Sequence, residues 1–435
     1  MKGRINVLDD GGVILNASAA NKILQSGNVL AGDFVEYNST PTWLDLAGGA
    51  DFKFSIGEYA IATFGGLLAA FRNGRRVATY SDYGCSVINK YNNWVVFYDE
   101  GAATVGVLSI ENDEFTLIDS LELADQYGGN SCIAAGGGKV CITRTGSIVV
   151  LDIANDGELS NAVSTAVSFA TSYDKFLNYS GGFYYTYTTR RPSGAYTYYS
   201  VELYTAEITI DGSNNASMGS GIQCPNVDIY NNDTSHNGKP RQIYQNGRII
   251  GITSTYYQYS SQYSGEEYHG QQGYIYFVNI ATGAANKITV ADHGEAISCI
   301  SGGKLLTSKC YKYQFGSGSY QWLYQANGIR LYAFDEETYA LTEIATKTYS
   351  EDTEMAVLGN RGGSANNYVY VQLRQSGTEH PGGVRIYEVA GGNMGDMTDK
   401  DYVIPYTNGS NPIGIAKESG SMGDTIAVYI PTPSA

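Results

Sequence analysis

Three stretches concentrate tyrosine among serine and glycine: FYYTYTTRRPSGAYTYYS from Phe183, STYYQYSSQYSGEEYHGQQGYIYF from Ser254 and KCYKYQFGSGSYQWLYQANG from Lys309. Tyrosine offers rigid amphipathic area and stacks on sugar rings, while serine and glycine let a backbone adapt to a ligand. The chemistry expected of these residues is recognition. Candidate contacts are Tyr187, Tyr196 and Tyr198 in the first stretch and Tyr257, Tyr259, Tyr263 and Tyr268 in the second. Tyr313, Tyr320 and Trp322 complete the set in the third. A competing reading makes alternating pairs such as Tyr185 with Tyr187, or Tyr257 with Tyr259, cross-strand partners that stiffen long ribbons.

Residues for bond-making chemistry are scarce. The four histidines (His236, His269, His293, His380) stand in loop-like settings without a neighbouring nucleophile motif, so no Ser/His/Asp arrangement is legible. The acidic pairs Glu266–Glu267 and Asp335 with Glu336 and Glu337 have the residue types for acid–base hydrolysis of a glycan. Adjacent carboxylates in polar turns are ordinarily solvated, and turn duty accounts for Asp156 and Asp211 before glycine. No full calcium loop, CxxC pair or His/Cys cluster occurs. The expectation is no catalytic residue, no metal and no cofactor, hence a protein that is not an enzyme. A glycan-degrading enzyme and a cellular protein-interaction propeller are the alternatives.

The elements that position the tyrosines repeat. The phrases VGVLSI from Val105, IVVLDI from Ile148, VELYTA from Val201, IYFVNI from Ile275, IRLYAF from Ile329 and VRIYEV from Val384 share one apolar pattern, and most run into a polar or glycine-containing turn. A second phrase precedes them, an apolar strand, a glycine-rich turn and another strand, as in SCIAAGGGKVCIT and SCISGGKLLTS. Together they spell a four-stranded meander, at a spacing mostly near the roughly 40–50 residues of a propeller blade. A shorter copy, LLAAFRNGRRVATYS from Leu67, supplies a first blade. The fold class expected is all-β: a β-propeller of seven blades over residues 50–406. Connections between second and third strands emerge on one face, so the three tyrosine hairpins, on consecutive blades, form one surface.

Residues 1–49 and 407–435 remain. GNVLAGDFVEY and PIGIAKESGSMGDTIAVYIP each carry Gly-Asp before a short apolar run with tyrosine. The two ends are expected to pair as a small β module outside the ring, with Gly32, Asp33, Tyr37, Gly423, Asp424 and Tyr429 as anchor candidates. The bland alternative is a C-terminal hairpin that completes the first blade. These segments resemble the short β segments of decoration and fibre-type structural proteins of tailed bacteriophages, especially those of Gram-positive hosts. The resemblance implies a virion component, made in the host cytoplasm, present in multiple copies and anchored to other virion proteins by its terminal module.

Composition agrees with strands. The chain has 435 residues with 53 glycines, 38 tyrosines and 9 prolines, which favours strands joined by tight turns. A formal net charge of -16 repels polyphosphates and anionic lipid heads, so nucleic acid is not an expected partner. No apolar run reaches the roughly 20 residues that span a bilayer, and MKGRINVLDDGG lacks the apolar stretch of a secretion signal; no membrane insertion is expected. The six cysteines stand singly in apolar contexts and read as buried thiols, with one disulfide between Cys132 and Cys141 left open. The expected partners are other virion proteins and a host-surface glycan.

Overall fold

The computed structural model describes residues 17–24, 27–37, 51–64, 66–124, 131–169, 175–193, 198–225, 229–231, 241–246, 248–255, 273–290, 296–301, 303–315, 321–348, 357–373, 383–396, 402–405, 413–421 and 425–431. Every element among them is a strand. Strands Asp51–Ile56, Tyr59–Phe64, Leu67–Arg72 and Arg75–Tyr80 form one antiparallel meander, here the 51–80 sheet. Val87–Tyr91, Trp94–Asp99, Thr104–Glu111 and Glu114–Glu122 form the next, and Cys132–Gly136, Lys139–Arg144, Ser147–Ile153 and Leu159–Ala166 the one after. The 175–231 sheet holds Lys175–Tyr179, Phe183–Ser193, Tyr198–Ile210 and an outer edge made of Ala216–Met218, Ile222–Gln223 and Ile229–Asn231. Arg241–Asn246, Ile249–Thr255, Gly273–Asn279 and Ala285–Val290 make the 241–290 sheet.

The last large sheet joins two meanders. Ala296–Ser301, Lys304–Phe315, Gln321–Phe334 and Leu341–Thr348 form one half; Val357–Ala365, Tyr368–Leu373, Gly383–Ala390 and Asn393–Asp396 form the other. A single parallel bridge, Thr346 to Asn393, connects them. Each of the six repeated phrases lies in the third strand of its meander. Local turn chemistry explains the hairpins. Asn73 and Gly74 have φ 50° and 75°, and Asn112 and Asp113 have φ 51° and 67°. Each is the left-handed pair that a two-residue hairpin turn requires.

Neighbouring meanders bury their faces against each other in chain order. Tyr98, Val105 and Val107 of the 87–122 sheet pack on Ile133, Val140 and Leu151 of the 132–166 sheet. Leu203 of the 175–231 sheet meets Ile250 and Tyr276, and Leu306 and Leu331 meet Val369 and Val371. The series closes on itself, because Phe52 and Phe71 of the first sheet pack with Tyr370, Val384 and Ile386 of the last. Ala60, Ala62 and Ala69 leave room there for the three rings. Gly74 N–H donates to Tyr370 Oη at 3.1 Å across the same seam. The chain is all-β and propeller-like.

The two ends of the chain build a closed five-stranded barrel from Ala17–Leu24, Tyr402–Pro405, Phe34–Tyr37, Gly414–Ala416 and Thr425–Pro431. Leu24, Val29, Val35, Ala416, Ile426 and Val428 fill it. Two details differ from the expectation. Tyr402–Pro405, assigned from sequence to the ring, is a barrel strand because its edges pair with Ile23–Leu24 and with Val35–Tyr37. The two phrases meet, but the strands that follow their Gly-Asp pairs, Phe34–Tyr37 and Thr425–Pro431, are not adjacent: Ile415 lies between them, paired with Phe34 on one side and Tyr429 on the other. The first sheet is complete within residues 51–80, so the C-terminal strands do not finish it.

Cys132 and Cys141 are free thiols. Cys132 stands opposite Thr143 and Cys141 opposite Ala134, which puts the sulfurs in diagonal rather than facing positions. Burial raises both thiols, and pushes those of Cys85 and Cys224 up to about 12. Buried, protonated sulfur behaves as a small apolar group.

A polar tie links the 132–166 and 175–231 sheets. Lys139 Nζ donates to Asp152 Oδ1 at 2.7 Å and to Asn214 Oδ1 at 2.6 Å, while Asn161 Nδ2 reaches Asp152 Oδ2 at 2.8 Å. The Lys139 and Asn161 hydrogen bonds hold the Asp152 carboxyl below the usual carboxylate range. Its folded pKa being the lower one, the stabilisation is complete above the unfolded value of about 3.9 and is lost as pH falls through the folded value. Partial exposure screens the effect. Asp152→Asn is expected to flatten the acid limb of a urea-midpoint titration below about pH 4; wild type and variant with parallel acid limbs would show that the tie contributes no proton linkage.

Candidate ligand-binding face

The longest strands among the described residues are the second and third strands of two meanders. Phe183–Ser193 and Tyr198–Ile210 have 11 and 13 residues, and Lys304–Phe315 and Gln321–Phe334 have 12 and 14. In the 175–231 sheet the first strand is described from Lys175, opposite Tyr187, and the hairpin of second and third strands runs to Ser193 opposite Tyr198. The broken outer strand follows it outward, with Ile222 beside Thr205 and Asn231 beside Tyr199. Past the Tyr187–Tyr204 pair the outer strand flanks the hairpin at Tyr199, Ser200 and Val201.

In the 296–348 meander the outer strand is described as far as Thr348, opposite Gly328, and the first strand from Ala296, opposite Ser308. Past those pairs Cys310–Phe315 pairs with Gln321–Ala326, after a register shift at Lys309/Cys310. Gly328 marks the exit: a Cβ there would overlap the Lys347 carbonyl, so only glycine lets three strands meet at that point. The corresponding hairpin of the 241–290 sheet is described as far as Thr255 opposite Gly273.

The structure sorts the tyrosine candidates. Tyr187 is buried, so it is corrected from a contact residue to a core residue. Its ring stacks on Tyr185 and on Tyr204, both at 5.5 Å, and its hydroxyl lies over Gly221, where any Cβ would collide with it. Burial raises its hydroxyl pKa. This aromatic ladder is the ribbon-stiffening role of cross-strand pairs. Tyr198, Tyr313 and Trp322 lie on the long hairpin strands, opposite Ser193, Leu323 and Gln314. Tyr196, Tyr257, Tyr259, Tyr263, Tyr268 and Tyr320 lie outside the described residues.

In the barrel, Asp33 Oδ2 accepts Leu30 N–H at 2.8 Å, Gly32 N–H donates to Ala416 O at 2.8 Å, and Gly32 has φ 96°. Tyr37 pairs with Val403. Tyr429 stands opposite both Ala19 and Ile415, and Lys417 Nζ lies 5.5 Å from the centre of its ring. Gly423 and Asp424 lie outside the described residues.

The described acidic residues of the turns serve the backbone. Asp211 Oδ1 accepts the N–H groups of Ser213 and Asn215, and Asp335 Oδ1 those of Glu337 and Thr338; hydrogen bonding lowers both pKa values. Glu337 pairs with Arg248 at 2.9 Å. Glu266, Glu267 and the four histidines lie outside the described residues. No group of three or more potential metal ligands occurs among the described residues, and no helix among them is long and apolar enough to cross a membrane.

Sequence reasoning passed over Arg144. It ends the strand KVCITR, is 1% exposed, and directs Nη2 to Ser164 Oγ at 3.5 Å. Ser147 stands opposite it across the turn between second and third strands, the same kind of turn from which the long ribbons rise. Nearby, Ser131 N–H donates to Glu100 Oε1 at 2.8 Å, and Asp99 accepts the N–H groups of Gly84, Gly101 and Ala102. The available signal was a lone arginine closing an apolar strand before Thr-Gly. A wholly buried guanidinium beside serine hydroxyls sets charge and polarity at the ribbon end of the 132–166 sheet.

No protein-family model and no curated protein sequence matches the chain. Solved structures do. Two putative 6-phosphogluconolactonases align with it. The one from Bacteroides fragilis does so at 14% identity over 82% of this chain and 94% of its own, with a TM-score of 0.37. The one from Bacteroides uniformis does so at 16% identity over 80% and 94%, with a TM-score of 0.35. Kuenenia stuttgartiensis hydrazine synthase aligns at 12% identity over 82% and 99%, with a TM-score of 0.39. At these values no activity transfers to this chain. The expectation of a non-enzyme is nonetheless corrected: proteins named as putative enzymes stand among the structural neighbours.

Proposed function

We propose that the chain is a particle-borne recognition protein of the tailed-phage type. In this reading a ring of seven blades presents the long ribbons to a host-surface glycan, and the two-ended barrel mounts the ring on the particle. The observation that carries the reading is the length of the hairpin made by Phe183–Ser193 and Tyr198–Ile210, strands of 11 and 13 residues. Most strands of the ring are shorter, and the far end of this ribbon is rich in the Tyr, Ser and Arg that binding surfaces use. The seven-blade count is supported by the order of the meanders and by the packing of the last on the first.

The test compares the full chain with a variant in which residues 190–201 are replaced by Asn-Gly, shortening the ribbon to the Thr189–Glu202 pair. Binding to purified host-wall polysaccharide is expected to fall at least ~30-fold, the loss of one or two aromatic anchors at about 2 kcal/mol or more. Equal binding by a folded short-ribbon variant would remove the glycan reading. Binding confined to particle proteins would move the partner from glycan to neighbour, and release of sugar during the assay would make the same face an active site.

A further inference from the structure

The ring has one seam unlike the others. Each neighbouring pair of meanders is joined by the chain running from one into the next, but the 51–80 sheet and the 357–396 meander lie at opposite ends of the sequence. Among the described residues no strand crosses between them; side-chain packing and the Gly74 to Tyr370 hydrogen bond hold them together. Everywhere else a covalent link keeps separated sheets at high effective concentration, and here that link is missing.

The barrel occupies the place of the missing link. Its strand Phe34–Tyr37 lies just before the first sheet, which begins at Asp51, and its strand Tyr402–Pro405 lies just after the last, which ends at Asp396. Inside the barrel these two strands pair with each other through Val35–Pro405, Glu36–Ile404 and Tyr37–Val403. Ala17–Leu24 then pairs with Thr425–Pro431 over seven consecutive positions. Thr425–Pro431 also touches Arg75–Tyr80 of the first sheet.

We propose that the terminal barrel is a clasp whose closure sets the stability of the first-to-last seam of the ring. Barrel and seam are thermodynamically linked: each holds the partners of the other within reach, so opening one lowers the free energy of opening the other. Whatever grips the barrel in its closed form therefore stiffens the ring at that seam, at a distance from the point of contact.

Hydrogen exchange on the isolated chain tests this independently of any ligand or particle. Three forms are compared with wild type: a chain lacking residues 407–435, Gly414→Val, and the pair Asn21→Cys with Ala427→Cys. A Cβ on Gly414 would overlap the Tyr429 carbonyl, so that substitution prises apart two barrel strands. Asn21 and Ala427 are directly opposed, as a cross-strand disulfide requires. In the first two forms, strands Asp51–Ile56, Tyr59–Phe64 and Tyr368–Leu373 are expected to exchange roughly tenfold faster or more, while Lys139–Arg144 and Ser147–Ile153 keep their rates. Oxidation of the cysteine pair is expected to slow the seam strands selectively, and reduction to restore them. Should the two loosened forms fail to fold, the disulfide decides alone. Seam rates that ignore the disulfide, or change no more than those of the 132–166 sheet, overturn the proposal.

Discussion

Gly106→Val is expected to lower the stability of the chain by roughly 3 kcal/mol, read as a shift in urea midpoint. Gly106 stands directly opposite Phe97 in the 87–122 sheet, and any Cβ at that position would overlap the Phe97 ring. The ring is wholly buried among Ile61, Leu68, Ala70, Tyr80, Val95 and Leu108. Valine must therefore drive the phenyl group out of a filled site, and the cost combines overpacking with lost burial. Gly212→Ala is the matched control, because nothing lies within 4 Å of a Cβ there. Equal midpoints for Gly106→Val and wild type would mean that Phe97 has an alternative rotamer with comparable packing.

The second large effect is expected at the seam. The Tyr370 ring is fully buried, and its centre stands 5.5 Å from that of Phe52 and 5.3 Å from that of Phe71. Tyr370→Ala should therefore cost about 3–5 kcal/mol. Tyr370→Phe should cost only about 1 kcal/mol, the loss of the acceptor for Gly74 N–H. The Phe52→Ala, Tyr370→Ala double mutant should fall short of the sum of the singles, because one cavity serves both. A Tyr370→Ala loss under ~1 kcal/mol would show that the first and last sheets contribute little by meeting.

The strand phrases were legible because each is an apolar third strand of a meander, where packing on two faces leaves a continuous run such as VGVLSI or IVVLDI. Turn chemistry was legible for the same reason of locality: Asn-Gly after Arg72 and Asn-Asp after Glu111 announce hairpins. Partnership between distant strands was not. Tyr402–Pro405 reads YVIP, equally apt for a blade or a barrel, and only the long-range pairing with Val35–Tyr37 decides. Tyr187 has the same local sequence as an exposed tyrosine, and it is buried because Gly221, far along the chain, leaves space for its hydroxyl. Arg144 escaped notice because arginine at a strand end ordinarily reaches solvent, and its burial is set by neighbouring strands.

The barrel also orders events in time. Ala17–Leu24 is synthesised early, and the edge that pairs over seven positions with Thr425–Pro431 stays open until that strand, more than 400 residues later, leaves the ribosome. Each meander, by contrast, closes from residues near in sequence and can form as it emerges. The last pairing is not a search through the whole chain length, because the packed sheets have already brought the two ends together. A chain stopped between Asp396 and Thr425 has every meander but no closed barrel, so the geometry of one small module distinguishes a chain that has passed Thr425 from one that has not.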